Sequence, residues 1–577
     1  MIKVPYGISN FELLRKEGYY FVDRTGFIAR LEKLPTLYHF FLRPRRFGKS
    51  LWLSVLEYYY DQRQAKQFQT LFGDLEIGYQ PTSKANQYLV LALDFSGIDT
   101  STFESVSRGF WIQVKTGLER CMNAYPQYFD KEDHTVINAS QTPAEAMAEL
   151  FVIASKKKNL PKIFLLIDEY DHFTNRLLVN DHDQFKKLVG RDGFYRAFFE
   201  AVKTGTQSGM IGRIFATGIS PVTLDSLTSG FNIGHNLTLD LSFHDLFGFS
   251  ESETTDILMG SGVAESDLPL ILSDVQTWYN GYLFNPRAKQ RLYNPDMLFY
   301  FAREYQAYQR YPESMLDVNI ASDYSRISQT FAIGNYSDNI SVLQDLVEEK
   351  TVSGALTIQF SMDKVWTRDD SLSLLFYNGL ITIHSDQLGL IRFQIPNQVI
   401  LELYFKMFRE TILNRANLLS DQVDINGKMV NMALQKDPRP FFEAVANVLK
   451  SLDNRDYRKL DEKHVKSIAA SFLFATNVYF VRSEYPLGKG YIDLLLLSRP
   501  NIEVAFQYAI ELKYVKKRDI SQAPIVLNEA RKQLKEYLSY PDLKAVAGVK
   551  VPLSAWIVVF VGSELYAIEE LNLTVKE

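Results

Sequence analysis

Cysteine is almost missing: Cys121 is the only one in 577 residues. That excludes an intramolecular disulfide and any cysteine-built zinc cluster, and it fits a reducing compartment. Histidine is scarce at 8 residues, with no His-Glu-x-x-His pair to hold zinc. No Gly-x-Ser-x-Gly elbow occurs, which argues against an α/β-hydrolase. No apolar run approaches the roughly 18 residues of a membrane span. The opening Met1-Ile2-Lys3-Val4-Pro5-Tyr6-Gly7 lacks the apolar core of a signal peptide. A cytoplasmic protein with no membrane partner is expected. Lys plus Arg number 63 and Asp plus Glu 68, a net charge of -5, so no global basic field demands a polyanion. A local basic patch stays open. No repeat and no low-complexity segment is apparent.

What is present is ordinary globular material, 46% hydrophobic and 23% charged, at a length that predicts about three or four domains. Short apolar runs at 37–42, 88–95, 163–167 and 212–217 alternate with helix-length segments. That pattern predicts buried parallel strands of an α/β sheet. From 250 to 440 helical spacing dominates, broken by polar aromatic loops such as Trp278-Tyr279-Asn280-Gly281-Tyr282. Pro438 and Pro440 interrupt helix and mark a boundary. A second α/β unit follows, with helix over 441–474, strands at 478–483, 491–497 and 505–515, helix over 524–538 and a strand at 555–561. The expected domains are a first α/β core at 1–249, a helical lid at 250–335, a helical connecting region at 336–440, and a second α/β domain at 441–577.

The first strand runs into Arg43-Pro44-Arg45-Arg46-Phe47-Gly48-Lys49-Ser50 and then a helical stretch from Leu51. This has the physics of a P-loop: backbone N–H groups and a helix N-terminus cradle phosphates, Lys49 reaches the terminal phosphates and Ser50 holds Mg²⁺. Arg45 to Leu51 are the expected nucleotide contacts. The usual first glycine is replaced by Arg43. Arg43, Arg45 and Arg46 read equally as phosphate ligands or arginine fingers in cis, and as a solvated basic rim. The apolar strand 163–167 delivers Asp168 and Glu169 at its C-terminal end, where ligands of open α/β sheets bind. Asp168 would hold Mg²⁺ and Glu169 would polarise the attacking water. Asp171 and His172 read as a solvated turn. Thr217, ending the next strand, reads as a sensor of the terminal phosphate or as a hydroxyl capping the turn. Asp94 is as readily a structural cap as a site residue. Together these features describe the additional-strand class of P-loop NTPases.

Gly18-Tyr19-Tyr20-Phe21-Val22-Asp23-Arg24-Thr25, the 43–50 loop, Ile233-Gly234, Leu246-Phe247-Gly248-Phe249, the 278–282 loop and Tyr293-Asn294-Pro295 resemble the AAA-ATPase-like domain of bacterial proteins of poorly defined role. In that family Arg-Pro-Arg-Arg-Phe-Gly-Lys-Ser is common, so Arg43 resembles a family variant. The resemblance covers about residues 1 to 300. It implies ATP binding, hydrolysis and an AAA-like core. Asp23 reads as the N-cap of the helix after it; the resemblance adds that its segment lies near the nucleotide base. Relatives of this core often form rings, which puts a homo-oligomer among the expectations, although no trans arginine finger stands out.

Near the C-terminal end, Glu484 precedes Asp493, and Glu511-Leu512-Lys513 follows. Period-two alternation places Glu511 and Lys513 on one strand face. If the strands of Asp493 and Glu511 are neighbours, two carboxylates and a lysine converge, a hard-oxygen site for Mg²⁺ or Mn²⁺. Gln533 and Tyr537 share a helix face, bordered by Arg531, Lys532 and Lys535, while Lys516, Lys517 and Arg518 follow the strand. That border suits a phosphate backbone. The ordered set resembles the PD-(D/E)XK nuclease superfamily over about 441–577. The resemblance implies Asp493 and Glu511 as metal ligands, Lys513 as the catalytic lysine, Glu484 as a further acid, Glu462 as the helical acid upstream, and Gln533 with Tyr537 as the Gln-x-x-x-Tyr element of the RecB-like branch. The two modules also occur together in that bacterial family. The bland alternative is an exposed Glu511–Lys513 ion pair, contributing about 0–1 kcal/mol.

Elsewhere Cys121 reads as a core thiol, His172 and His464 as surface or capping residues, and 156–158 as a solvated lysine run. The 33 tyrosines and 40 phenylalanines are spread as packing residues. The sequence thus points to an ATP-binding and hydrolysing protein coupled to metal-dependent cleavage of nucleic acid, DNA rather than RNA. The alternatives are a nucleotide-driven switch or scaffold that binds nucleic acid or protein without cutting, and a nucleotide-binding module with a dead ATPase.

Overall fold

The computed structural model describes residues 1–190, 192–227, 231–325, 342, 345–347, 350–360, 366–418, 424–453, 461–488, 490–548 and 550–571. The expected regions at 250–335 and 336–440 lie partly outside this set, as does Lys489. The chain divides into two compact units, Met1–Gln309 with Ser322–Asn397, and Arg310–Ala321 with Gln398–Glu577. The breaks fall inside the stretch read as a lid, at 309/310 and 321/322, and inside the connecting region, at 397/398, ahead of Pro438 and Pro440.

In the first unit, β1 (Tyr38–Leu42), β2 (Leu89–Asp94), β3 (Ile163–Asp168), β4 (Ile211–Gly218) and β5 (His235–Asn236) form one parallel sheet in the order β2-β3-β4-β1-β5. Strand β4 therefore separates the strand entering the P-loop from the strand carrying Asp168. This is the additional-strand arrangement, and both motifs leave the same edge of the sheet. The strands are continuous apolar runs because both faces are covered by helices such as Lys49–Tyr60, Phe103–Ala124 and Phe194–Gln207. Helices Glu251–Gly260, Leu268–Tyr279 and Pro295–Tyr308 follow.

The helical reading of 336–440 needs correction. It contains a three-stranded antiparallel sheet, β6 (Thr351–Gly354), β7 (Thr382–Gln387) and β8 (Leu390–Gln394), ordered β6-β8-β7. In β8, Ile391 and Phe393 are buried while their neighbours are not, the period of a half-buried strand.

The second unit holds β9 (Tyr479–Leu487), β10 (Gly490–Ser498), β11 (Gln507–Val515), β12 (Leu553–Val561) and β13 (Glu564–Glu570), ordered β13-β12-β11-β10-β9. All pairs are antiparallel except β11 with β12, which the helix Ala523–Ser539 links by a crossover. The sequence reading omits β13, whose apolar Leu565, Tyr566, Ala567 and Ile568 are flanked by Glu564, Glu569 and Glu570 and form no alternating pattern.

Candidate functional sites

The P-loop is built by a helix start. Gly48 has φ 88 and precedes the helix Lys49–Tyr60, whose N-terminus has no side-chain cap. Its leading N–H groups are therefore the donors a phosphate would use. Arg46 is also left-handed, at φ 68, a conformation that costs a non-glycine residue about 1 kcal/mol or more. A Cβ on Gly48 would meet open space, but its φ disfavours any L side chain.

Lys49 is buried, and its Nζ donates to the Arg43 and Pro44 carbonyls at 3.0 Å each. Burial lowers its pKa, opposed by Glu169, Asp168 and Asp171. Asp168 lies at the end of β3. Burial raises its pKa, opposed by hydrogen bonds from Ser50 and Thr217 and by Lys49. Thr217 is fully buried and donates to Asp168 Oδ1 at 2.6 Å, so in this structure its hydroxyl positions that carboxylate. Glu169 has φ 49 and lines the adjoining cavity, with Oε2 3.7 Å from His172 Nδ1.

That cavity, about 500 Å³, is lined by Arg45, Arg46, Phe47, Gly48, Lys49, Ser50 and Leu51 from the P-loop, and by Glu169 and His172. Its apolar end is formed by Tyr20, Phe21, Val22, Phe247, Phe249 and Phe299. An apolar slot continuous with basic and amide donors matches the two halves of a nucleotide. Arg24 fastens the slot, donating to Gly248 O at 3.0 Å and to Glu253 Oε2 at 2.8 Å. Arg46 pairs with Asp296 at 3.2 Å, tying the loop to the start of the helix Pro295–Tyr308.

Several expectations change here. Arg43 is neither finger nor rim. It is 1% exposed, donates to the carbonyls of Leu42, Thr238, Phe243 and His244, and lies between the Phe41 and Phe284 rings. Asp171 and His172 do not form a solvated turn. Asp171 is fully buried and accepts from Ile219 N–H, Ser220 N–H and Asn175 Nδ2. Its closeness to β4 requires Gly218, where a Cβ would lie 2.4 Å from Asp171 Oδ1. His172 is 7% exposed, and burial lowers its pKa to about 4, with Arg176 and Arg45 adding to the effect. Asp23 does not cap the helix Gly26–Lys33; its carboxylate accepts from Thr25 and from Glu76 N–H. Asp94 accepts from Ser96 N–H. Cys121 is a buried free thiol.

In the second unit, β10 and β11 pair Leu494 with Ile510. Continuing that antiparallel register by one residue sets Asp493 opposite Glu511, side chains on one face. Asp493 is 5% exposed; Oδ2 accepts from Leu512 N–H at 2.7 Å and Oδ1 lies 2.5 Å from Lys466 Nζ. Glu511 is fully buried, with Oε1 2.8 Å from Lys513 Nζ. Neither Glu511 oxygen accepts a well-formed hydrogen bond. Burial, then the adjacent Asp493, raises its carboxyl to about 7. Burial also raises Asp493, opposed by Lys466 and Lys513. Glu462, first residue of the helix Glu462–Leu473, reaches Lys466 at 2.8 Å and Lys513 at 3.7 Å.

The helical acid Glu462 thus joins Asp493, Glu511 and Lys513. Lys466, which sequence reading missed, joins them too; its signal is the four-residue spacing from Glu462 on an amphipathic helix. Glu484 has φ 49 and sits on β9 at the position that the register sets opposite Asp493. Gln533 donates to Tyr537 at 2.7 Å, and Tyr537 packs where a Cβ on Gly490 would fall. Arg531 is paired with Glu569, which removes one charge from the expected basic border.

A divalent ion fits this pair of carboxylates. Glu511 presents two buried oxygens, Oε1 beside Lys513 Nζ and Oε2 without a hydrogen-bond partner, and Mg²⁺ is commonly held by one or two carboxylates and water. Among the described residues, no group of three or more His, Cys, Asp or Glu is arranged to hold a metal. Among them, too, no helix is long and apolar enough to cross a membrane.

Comparison with known proteins agrees with this layout. Residues 5–228 match the family "Predicted AAA-ATPase", and residues 460–570 match the PD-(D/E)XK nuclease superfamily. An uncharacterized protein from the region 5′ of vnfD in Azotobacter chroococcum is 28% identical over 312 residues, 53% of this chain and 53% of that protein. The chain thus matches about half the length of this curated relative. The Walker-type ATPase of Pyrococcus abyssi aligns over 70% of this chain and 98% of its own, at 12% identity and a TM-score of 0.34. The chain therefore joins an N-terminal AAA-ATPase-like domain to a C-terminal domain of the PD-(D/E)XK nuclease superfamily.

Proposed function

We propose that the chain binds and hydrolyses ATP in its first unit and cleaves nucleic-acid phosphodiester bonds in its second. The reading is supported above all by the clustering of chemistry in each unit. Lys49, Asp168 and Glu169 meet beside one cavity, and Asp493, Glu511 and Lys513 meet on one sheet face.

In the first unit the uncapped helix N–H groups and Lys49 bind the phosphates, with Lys49 exchanging its carbonyl partners for phosphate oxygens. Ser50 and Asp168 would hold Mg²⁺, which would neutralise charge developing on the phosphates. Glu169 orients the attacking water. In the second unit Asp493 and Glu511 would hold Mg²⁺ or Mn²⁺, which would lower the pKa of bound water and stabilise a pentacovalent phosphate. Lys513 fixes the nucleophile and balances charge. The basic residues Lys516, Lys517, Arg518, Lys532 and Lys535 favour a nucleic-acid backbone, with DNA the preferred substrate. On this reading the protein acts in the cytoplasm.

The test is cleavage of single- and double-stranded DNA and RNA with Mg²⁺ or Mn²⁺, with and without ATP, beside Asp493→Ala, Lys49→Ala and Glu169→Gln. Loss of cleavage in the first variant and of phosphate release in the other two is expected. Cleavage unchanged in Asp493→Ala sinks the nuclease half; phosphate release unchanged in Glu169→Gln sinks the ATPase half. One observation favours a second reading, a nucleotide-driven switch that binds without cutting. Lys466 and Lys513 already pair with Asp493 and Glu511. Nucleic-acid binding without cleavage under every condition would select it.

A further inference from the structure

We propose that Lys466 serves as a tethered cation that restricts the C-terminal cluster to one divalent ion, held by Asp493 and Glu511. The proposal rests on the reading of this cluster as a metal site. Lys466 Nζ lies 2.8 Å from Glu462 Oε1 and 2.5 Å from Asp493 Oδ1. It bridges two carboxylates much as a second metal bridges them in two-metal sites, where the ions stand about 3.5–4 Å apart.

The lysine is held there by its helix. Glu462 and Lys466 are one turn apart on the same face of Glu462–Leu473. Val465, Ile468, Ala469 and Phe472 of the same helix are buried and fix it in place. On Asp493, Oδ1 faces Lys466, while Oδ2 accepts the single Leu512 N–H and keeps a second lone pair, which makes it the oxygen for the one ion. A second ion could reach Asp493 and Glu462 only by expelling the ammonium. Glu511, by contrast, keeps Oε2 without a hydrogen-bond partner, while its Oε1 lies beside Lys513 Nζ. Charge counting agrees. Three ionised carboxylates against two ammonium groups leave a net charge of -1. One divalent ion makes the cluster mildly positive, as suits a phosphodiester; a second would add two more charges in a buried place, which is costly. Lys466 is thus a positioning residue with a fixed charge.

The experiment counts Mn²⁺ on the nucleotide-free full chain by calorimetry and by the electron-spin-resonance signal of free Mn²⁺. The C-terminal count is the difference between a given chain and the same chain carrying Asp493→Asn. One ion is expected for the wild type, two for Lys466→Met and for Lys466→Gln, and one again for Lys466→Arg. Two variants guard against a fold defect in either, and circular dichroism checks each. Two ions in the wild type, or one ion in both folded neutral variants, overturns the proposal. Equal counts in wild type and Asp493→Asn would instead show that the metal-site reading fails beneath it.

Discussion

Arg43 shows how a single position can mislead. In sequence it stands first in a phosphate-binding loop, among arginines, and a catalytic finger is a natural reading. In the fold its guanidinium points away from the cavity, serving backbone carbonyls of Leu42 and of the 238–244 segment. Burial pushes its pKa down to about 9, still charged at neutral pH. Removing it would leave buried carbonyls without a donor, at on the order of 1–3 kcal/mol each for those that water cannot reach. Arg43→Ala is therefore expected to lower the thermal midpoint of the first unit by several degrees. ATP turnover per folded molecule, measured well below that midpoint, should stay within about threefold of wild type. A finger would give the opposite pattern, since its loss costs roughly 10³ in rate with little effect on stability. An unchanged midpoint with turnover down by that factor would restore the finger.

At the scale of elements, the helix Gln398–Ala416 carries Glu402, whose carboxyl is raised to about 8 by burial, only partly offset by Arg499. In the unfolded chain it titrates near 4.5. Between those values the folded state binds the proton and the unfolded state releases it. Stability of the second unit therefore falls as pH rises through that window, with a slope of at most about 1.4 kcal/mol per pH unit. Glu402→Gln should flatten the fall in urea midpoint between about pH 5 and 8. Parallel curves for variant and wild type would show that Glu402 titrates normally. Elements of this kind mark the limit of what the sequence revealed. The long apolar runs of β1 to β4, β10 and β12 were legible because burial on both faces leaves one continuous signal. The β7–β8 hairpin was not, although Leu388 and Gly389 both have positive φ, at 57 and 83, as a two-residue turn requires. Leucine is an unusual residue there and hid the turn. Asp171 and His172 were misread because a strand followed by polar residues usually meets solvent, whereas here the turn after β4 takes up Asp171 and the Phe95–Ser96 backbone after β2 meets His172. The carboxylates of the C-terminal site were legible from spacing along β10 and β11. Lys466 was not, because its partner Asp493 lies on another element and no local pattern connects them.

At the scale of the molecule, an ATPase-like and a nuclease-like domain on one chain raise the question of whether they communicate. Each unit has its own five-stranded sheet and its own internal contacts. We propose that ATP, through the P-loop and the helix joined to it by Arg46–Asp296, alters the behaviour of the second unit. Linkage makes this testable without assuming a path. If ATP changes the affinity for nucleic acid by some factor, nucleic acid must change the affinity for ATP by the same factor. The chain to use carries Glu169→Gln and Asp493→Asn, so that neither ligand is consumed. Titrating ATP with and without saturating DNA, and DNA with and without saturating ATP, should give two matching ratios of about fivefold or more, since typical coupling is 1–3 kcal/mol. Adding Lys49→Ala should abolish the effect of ATP on DNA affinity while leaving DNA affinity in the absence of ATP intact. Ratios of one in both titrations would mean that the two sites share a chain but not an equilibrium. ATP would then act on cleavage, if at all, only through a step of turnover, where reciprocity does not apply. Comparing cleavage rates of the Asp493-intact chain with ATP and with a non-hydrolysable analogue would isolate that step: equal rates would leave no role for hydrolysis in cutting.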